Sequence, residues 1–296
     1  MEQVLKFYRI YFNALFFVAP KYASRKAFEL FATPINKKVR VQETEALATA
    51  EEETLLIDGN NIAVYKWGNG PKTALLVHGW EGNGGSLAGF KDELIANGYT
   101  VYSFDGPAHG KSTGKRTNVI NFSHTVARII EQKKIKDLLI THSFGSATTM
   151  FALAKNPHIK IERMALLTSP NKIEDVITEY TSLMRFSPKN HNALIGHIEN
   201  YYKIEVQQLE VARMAHKVNV GEFLIIHDEY DKIIPVQYSK NVAKALGQQS
   251  IFYRYAKGRA LPHAMEPGCY YLRKRFCSRR KSLVISGCRT VISCAF

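Results

Sequence analysis

The chain has 296 residues, of which 46% are hydrophobic and 22% charged, a balance typical of a globular protein and not of a disordered one. Its 40 basic residues against 26 acidic ones give a formal charge of +14, which at first favours a nucleic-acid or membrane partner. However, residues 259–296 hold eight basic residues and one acidic residue, a net +7, together with all four cysteines. The preceding 258 residues carry only the other +7, so we expect no nucleic-acid partner, and the absence of cysteine there excludes a disulfide framework in this part.

The N-terminal segment, residues 1–53, is predicted to be helical as far as about residue 47, with Pro20 and Pro34 as breaks. Aromatic and aliphatic residues dominate its first 20 positions, but Lys6 and Arg9 interrupt them, so the run fits neither a spanning helix nor a signal peptide. We expect an amphipathic helix that packs on the main domain, with contact to a membrane surface as the alternative. The expected location is cytoplasmic, free or peripheral to the membrane.

Strands and helices are predicted to alternate from residue 54 to residue 258. A strand pair, Thr54–Asp58 and Ile62–Trp67, is predicted to be joined by a turn at Gly59-Asn60-Asn61. The later strands are predicted at Ala74–His78, Thr100–Phe104, Lys136–Thr141, Arg163–Thr168, Glu222–His227 and Ile251–Tyr255, and the helices between them at Ser86–Asn97, Phe122–Gln132, Phe144–Lys155 and Val236–Leu246. This alternation predicts an α/β fold with a mostly parallel central sheet flanked by helices. The pattern of residues 171–218 is helical throughout, which predicts a small cap inserted into the domain.

The segment Thr141-His142-Ser143-Phe144-Gly145 joins a predicted strand directly to a predicted helix. A serine on such a strained turn, followed by small residues that let strand and helix approach, is the arrangement of a nucleophile elbow. Thr141 stands where the usual pattern has glycine. Ser143 is therefore the candidate nucleophile, and the alternative is a serine that caps the helix beginning at Phe144.

Two further segments follow predicted strands in the same way. The run 75–80 ends a buried strand in the turn His78-Gly79-Trp80, and the loop Asp105-Gly106-Pro107-Ala108-His109-Gly110-Lys111-Ser112 follows the next strand. Together with the Ser143 segment these motifs resemble those of the α/β-hydrolases, and His78-Gly79-Trp80-Glu81-Gly82 resembles a bacterial serine-hydrolase-like branch of that family. The resemblance covers about residues 54–258 and implies the α/β-hydrolase fold, with the helical cap inserted before the strand that carries the catalytic acid.

The resemblance also implies roles for individual residues. The backbone amides of Trp80 and Phe144 become candidates for the oxyanion hole, and the loop after Asp105 becomes a structural loop beside the pocket. The segment 227–235 resembles the acid-bearing loop of the family, which makes Asp231 the candidate that orients a histidine. Its alternative is a solvated loop acid that caps the next helix. A Ser–His–Asp triad, an ester or similar acyl substrate, and no cofactor or metal are implied.

The histidine of this triad is the weak point of the sequence. His263 is the only histidine after Asp231, so it is the candidate base, but it follows Pro262 where the family has a Gly-His pair. The atypical basic, cysteine-rich segment 259–296 prompts a second hypothesis, a one-base shift of the reading frame near Gly258. Permitted codons for Arg259 onward, read one base later, give Gly-His-Tyr-Arg-Met-Leu-Trp-Asn-Pro-Asp-Val-Ile, which restores the expected pair.

These features lead to an expected function and two alternatives. The expected function is a serine hydrolase that acts on a carboxylic ester, thioester or similar small acyl substrate through an acyl-enzyme intermediate. The alternatives are a non-catalytic binding protein on the same fold, or the inactive product of a shifted gene. Binding to nucleic acid or to an acidic membrane through residues 259–296 ranks last. Apolar residues of the cap are expected either to shape the substrate site or to form the core of the cap itself: Tyr180, Leu183, Met184, Phe186, Tyr201 and Tyr202.

Overall fold

Buried apolar runs form the strands of one sheet in the computed structural model, which describes residues 2–36 and 38–255. Within those residues the strands are β1 (Glu51–Ile57), β2 (Asn60–Trp67), β3 (Lys72–Val77), β4 (Tyr99–Phe104), β5 (Leu138–His142), β6 (Lys160–Leu167), β7 (Asn219–Asp228) and β8 (Ser250–Tyr255). The helices are α1 (Glu2–Val18), α2 (Pro20–Phe31), α3 (Val41–Ala48), α4 (Lys91–Ala96), α5 (Val119–Gln132), α6 (Phe144–Lys155), α7 (Ile173–Leu183), α8 (Pro188–Tyr202), α9 (Val211–Met214) and α10 (Val236–Leu246).

The sheet has the strand order β1-β2-β4-β3-β5-β6-β7-β8. β1 pairs antiparallel with β2 and β2 antiparallel with β4, whereas every pair from β4 through β3 to β8 is parallel. The central strands are buried along most of their length, which is why their sequences are continuous apolar runs without alternation. A mostly parallel sheet flanked by helices confirms the predicted fold class.

The turn of the first hairpin begins one residue earlier than predicted and has two residues where three were expected. Ile57 pairs with Asn60, so the turn consists of Asp58 and Gly59, both with positive φ (49° and 75°). An Asp-Gly pair with both residues in this region is the favoured two-residue hairpin turn. β1 also begins earlier than predicted, at Glu51, because this strand is the edge of the sheet and tolerates exposed charge.

The helix predicted at Ser86–Asn97 is largely a turn followed by the short α4. Residues 88–90 form a single 3₁₀ turn before Lys91. The residues before it are held in a loop, because the side-chain amide of Asn83 and the hydroxyl of Ser86 both donate to the carboxylate of Glu43, at 2.9 and 3.1 Å. A side chain from α3 therefore overrides the local helical pattern.

The N-terminal segment packs against the helical insertion between β6 and β7. On α1, the buried rings of Phe12 and Phe16 lie 6.0 and 5.0 Å from the ring of Phe186, measured between centroids. From α7, the hydroxyl of Tyr180 donates to the carbonyl of Ala27 on α2 at 3.0 Å. The N-terminal helix thus packs on the domain, as expected. Within the described residues, no helix is both long and apolar enough to cross a membrane.

The insertion is helical, as predicted, and its core accounts for most of the apolar residues that the sequence singled out. Tyr180, Met184, Phe186 and Tyr202 pack into one hydrophobic core with α1 and α2, which favours the core alternative for these four. The other two, Leu183 and Tyr201, are exposed. The role of the insertion as a cap over a substrate stays a prediction.

Candidate active site

Two loops meet at the point where the sheet reverses its winding. After β3 the chain moves to β4 on one side, and it then returns to place β5 on the other side of β3. Ligands of open α/β sheets bind in the crevice that such a reversal opens at the carboxyl ends of the strands. The turn at His78-Gly79 follows β3 and Ser143 follows β5, so this crevice contains the candidate nucleophile and the His-Gly turn.

Ser143 has a strained backbone. Its φ of 49° and ψ of −120° lie in a region that L-residues other than glycine rarely adopt. The strain is held on both sides: the Ser143 amide donates to the carbonyl of Leu167 at 2.9 Å, and its carbonyl accepts from the amide of Ser146 at 2.8 Å. The hydroxyl makes no capping hydrogen bond to α6, although Ser143 occupies the N-cap position. The alternative of a capping serine therefore does not describe this residue.

Small residues bring the two loops together. A Cβ atom on Gly79 would lie 2.9 Å from Nδ1 of His142 and 3.2 Å from Cβ of Ser143, so the β3 turn touches the serine. Thr141, at the position where the motif usually has glycine, is fully buried and its hydroxyl donates to the carbonyl of Ala165 at 2.9 Å. That hydroxyl lies 2.9 Å from the Ser146 hydroxyl and accepts from it. Thr141 thus ties β5 to both α6 and β6.

The amides of Trp80 and Phe144 flank the serine at the start of their respective turns. Neither amide donates to an acceptor within the described residues. The two side chains pack edge to face with ring centroids 5.3 Å apart, which fixes the β3 turn against the start of α6. Two unpaired N–H groups beside a serine are the donors that an oxyanion needs.

His78 and His109 are structural in this site. His78 is buried, its Nδ1 donates to the carbonyl of Gly79 at 2.6 Å, and its Nε2 accepts from the amide of Gly106 at 2.9 Å. Burial lowers the pKa of His78 to about 4, so the ring is neutral at neutral pH. Nε2 of His109 accepts from the amide of Glu81 at 3.0 Å and its Nδ1 donates to the carbonyl of Pro107. Both rings hold loops in place.

The loop after β4 is organised by a buried carboxylate. Asp105 accepts from the amides of Gly84 and Lys111, both at 2.7 Å, and from the hydroxyl of Tyr65 at 2.9 Å. These bonds connect β2, the β3 turn and the loop itself, and both carboxylate oxygens accept at least one of them. Asp105 therefore supports the site without entering it.

Asp231 lies in a tight turn after β7. One carboxylate oxygen, Oδ1, accepts from the amides of Ile233 and Ile234, each at 2.8 Å. The negative charge of Asp231 also acts on His142, the residue before the candidate nucleophile. Burial still lowers the pKa of His142 to about 4, with the charge of Arg40 acting in the same direction and that of Asp231 against it. Asp231 is thus near enough to the end of β5 for its charge to act on His142.

The other acids of this loop have different partners. Asp228 Oδ1 accepts from the amide of Tyr230 at 3.0 Å, and Glu229 forms an ion pair with Arg254 at 2.9 Å. His227 is fully buried, with Nδ1 2.7 Å from the Ser239 hydroxyl and Nε2 2.8 Å from the carbonyl of Ile234. Burial lowers the pKa of His227, and both of its nitrogens are engaged.

Comparison with known proteins agrees with this architecture. Residues 73–186 match the family model for the alpha/beta hydrolase fold. The chain has the α/β-hydrolase fold. It is 27% identical over 164 residues to the dihydrolipoyllysine-residue acetyltransferase component of the acetoin cleaving system of Cupriavidus necator, a match that spans 52% of this chain and 43% of that protein.

Solved structures share this fold at low sequence identity. Est1E from Butyrivibrio proteoclasticus, solved with ferulic acid bound, is 18% identical with a TM-score of 0.56, over 69% of this chain and 89% of that one. The esterase EaEST from Exiguobacterium antarcticum is 18% identical with a TM-score of 0.55, over 70% and 91% of the two chains. At such identity the similarity establishes the fold.

The N-terminal segment reaches the candidate site, which the sequence did not predict. Glu81, one residue after Trp80, has a φ of 57°, and its carboxylate accepts from the amides of Ile35 and Asn36, both at 2.9 Å. Glu43 holds the following loop from α3. Only the Glu43 contact had a local signal, because Glu43 stands three residues after Arg40 and closes a capping box on its amide.

One cleft near the insertion is separate from these residues. It has a volume of about 260 Å³ and a polar lining that includes Lys172, Glu210 and Arg213. None of Ser143, Trp80 and Phe144 lines it. The candidate base, His263, lies outside the described residues, as does the rest of segment 259–296.

Proposed function

We propose that the chain is a serine hydrolase that cleaves a carboxylic ester, thioester or similar acyl compound, with Ser143 as the nucleophile. The observation that carries this proposal is the strained backbone of Ser143 beside two amides, those of Trp80 and Phe144, that are unpaired within the described residues. The fold family and an esterase among the similar structures support a hydrolase. The Cupriavidus relative is an acetyltransferase component by name, which agrees with an acyl substrate.

In the proposed mechanism the Ser143 hydroxyl attacks the carbonyl carbon of the acyl compound while a histidine takes its proton. The negative charge that develops on the carbonyl oxygen is stabilised by the amides of Trp80 and Phe144. The protonated histidine then donates to the leaving alcohol or thiol, which leaves an acyl-serine. A water molecule, deprotonated by the same histidine, attacks this ester and releases the acid and the free hydroxyl.

Asp231 is proposed to orient this histidine. The charge of Asp231 acts on His142 at the end of β5. Its Oδ1 accepts from two backbone amides, so the turn holds the carboxylate in one position. We assign the base to His263 by chain order. The described histidines close to the site support this choice. Both ring nitrogens of His78 and of His227 are already hydrogen-bonded, and burial lowers the pKa of His142 to about 4, which makes it a weak base.

Labelling with a fluorophosphonate probe tests the proposal. The intact chain is expected to form a covalent serine adduct, and the Ser143→Ala variant is expected to form none. Peptide mapping by mass spectrometry identifies the labelled residue. A label on another serine contradicts Ser143 as the nucleophile. The absence of any label on folded protein contradicts the hydrolase assignment.

The second candidate is a non-catalytic protein on the same fold. It is favoured by the departure from the Gly-His pattern at Pro262-His263. Sequencing the DNA across codons 255–265 separates a designed binding protein from a shifted reading frame. If the second frame yields the Gly-His string, a corrected chain is expected to label faster than the present one.

A further inference from the structure

The outward face of α1 is apolar. Six of its residues are exposed side chains: Val4, Phe7, Ile10, Tyr11, Phe17 and Val18. Phe17 is 91% exposed and Val18 80%, whereas Phe7 and Ile10 are 64% and 65% exposed. At 3.6 residues per turn these six positions span an arc of about 140°. This is a contiguous apolar surface of the kind that monomeric proteins use for interaction.

The opposite side of α1 is committed to the domain. Phe12 and Phe16 are buried against Phe186, and the guanidinium of Arg9 donates to the carbonyl of Leu183 at 2.8 Å. Leu183 is itself half exposed, so it extends the apolar face onto the insertion. Because one side is fixed to the protein, only the outer side is available to a partner, which must accept a single helix lying flat.

The segment that carries this face is net positive. Residues 2–31 contain five basic and two acidic residues, a net charge of +3. Of the two acids, Glu29 is paired with Lys26 at 2.9 Å, and Arg25 and Arg116 lie within 3.9 Å of it. Glu2 lies at the far end of α1. Lys6 and Lys21 are exposed. The apolar face therefore belongs to a net positive segment, with Lys6 beside it on α1 and Lys21 three residues beyond Val18.

We propose that this face docks on an anionic lipid surface, with α1 lying in the plane of the interface. A broad arc of aromatic and aliphatic side chains in a segment with exposed lysines suits the boundary between acyl chains and negatively charged headgroups. A second copy of the chain is less suited, because two such faces oppose net positive charges without acids to match them. The proposal does not depend on the hydrolase activity.

Co-sedimentation of the full chain with lipid vesicles tests this proposal. The protein is expected to pellet with vesicles that contain phosphatidylglycerol and much less with vesicles of phosphatidylcholine alone. Phe17→Ser is expected to weaken binding about tenfold, since one large apolar side chain leaves the interface. Lys21→Glu is expected to reduce the preference for phosphatidylglycerol. The matched control is Leu56→Ser, which replaces another highly exposed apolar residue on the edge strand β1 and should bind like the unchanged protein.

Three results overturn the proposal. Unchanged protein that does not pellet excludes the surface as a lipid contact. Unaltered binding of Phe17→Ser assigns any association to another part of the chain, such as the basic residues 259–296. A dimer in light scattering that Phe17→Ser converts to a monomer, without a change in pelleting, assigns the face to self-association. Thermal unfolding followed by circular dichroism verifies that the variants are folded, which the 91% exposure of Phe17 leads us to expect.

Discussion

A Cβ atom on Gly145 would lie 2.3 Å from the carbonyl oxygen of His78. The first turn of α6 therefore touches the end of β3, and the contact is to backbone, which cannot move aside cheaply. Gly145→Ala is expected to destabilise the protein by about 2 kcal/mol or more and to slow probe labelling, because the turn that carries Trp80 must shift. Urea unfolding and the labelling rate measure the two effects.

Gly196 provides the control for this variant. It lies inside α8, and a Cβ there would have no heavy atom within 4 Å. Gly196→Ala is expected to stabilise the protein by about 0.5–1 kcal/mol through helix propensity, with labelling unchanged. Equal effects of the two substitutions would show that the close approach at His78 does not matter.

The strain at Ser143 predicts that this serine reduces stability. Glycine adopts the observed φ of 49° without a steric penalty, so Ser143→Gly is expected to raise the free energy of unfolding by about 1–2 kcal/mol. Ser143→Ala retains the Cβ atom and should gain little. Both variants should lose labelling. If Ser143→Gly is no more stable than Ser143→Ala in urea unfolding, the backbone is not strained as described.

Asp231→Asn tests the proposed acid without dismantling its turn. The asparagine oxygen can still accept from the amides of Ile233 and Ile234, so the loop should keep its shape. Loss of the charge is expected to lower the labelling rate by about a hundredfold or more, since the histidine loses its orienting partner. Asp228→Asn, in the same loop, should retain at least half of the rate. Equal losses in both variants would argue against Asp231.

Glu81 is predicted to position the oxyanion turn from outside. Glu81→Ala removes both acceptor bonds to the amides of Ile35 and Asn36, so the free energy of unfolding should fall by about 1–2 kcal/mol. Labelling should slow about tenfold, because the adjacent Trp80 amide loses its support. Glu45→Ala, at an exposed position of α3, is the control. Cleavage near residue 36 in limited proteolysis should rise only in the Glu81 variant.

The buried His78 predicts a loss of stability in acid. Its pKa is about 4 in the folded protein and 6.5 in the unfolded chain, so above pH 6.5 both states are neutral there. Below pH 6.5 the unfolded chain binds a proton that the folded protein does not. His78 alone therefore lowers stability by about 3 kcal/mol between pH 7 and pH 4.

The measurement is urea unfolding at the two pH values. His78→Asn is expected to be less stable at pH 7, and the difference from the unchanged protein should shrink by about 3 kcal/mol at pH 4. His216→Gln, at an exposed site, should follow the unchanged protein throughout. A constant difference between the His78 variant and the unchanged protein would show that this ring is not kept neutral by burial.

Elements with strong local signals were predictable from the sequence. The bounds of α6 and α10 agree with the prediction to the residue, because each helix has a sharp local start, at the turn of Ser143 for α6 and at Pro235 for α10. The parallel strands were recognised by their apolar runs, although β6 and β7 each begin three residues earlier than predicted, where only one face is covered and polar residues alternate. Such ends carry no continuous apolar signal.

Contacts between distant segments were not predictable. Glu43 reaches Asn83 across 40 positions of sequence, and Glu81 reaches Ile35 across 46. The spacing of Glu43 from Arg40 marks the start of a helix, but nothing in the sequence around either acid indicates its distant partner. The serine and the His-Gly turn were found because their motifs are local, whereas the parts that hold them in place come from elsewhere in the chain.

The contact of Glu43 with the loop after β3 changes what counts as the smallest independent piece of this protein. A chain shortened to begin at residue 54 would keep every strand from β2 to β8. It would leave the side-chain amide of Asn83 without its acceptor on Glu43. Such a fragment also lacks α1 and α2, so it is expected to expose Tyr180 and Phe186, which pack against them, and to aggregate. The autonomous folding unit therefore starts before Val41. If the first fifty residues are exchanged between proteins of this fold, the geometry of the β3 turn is expected to change with them.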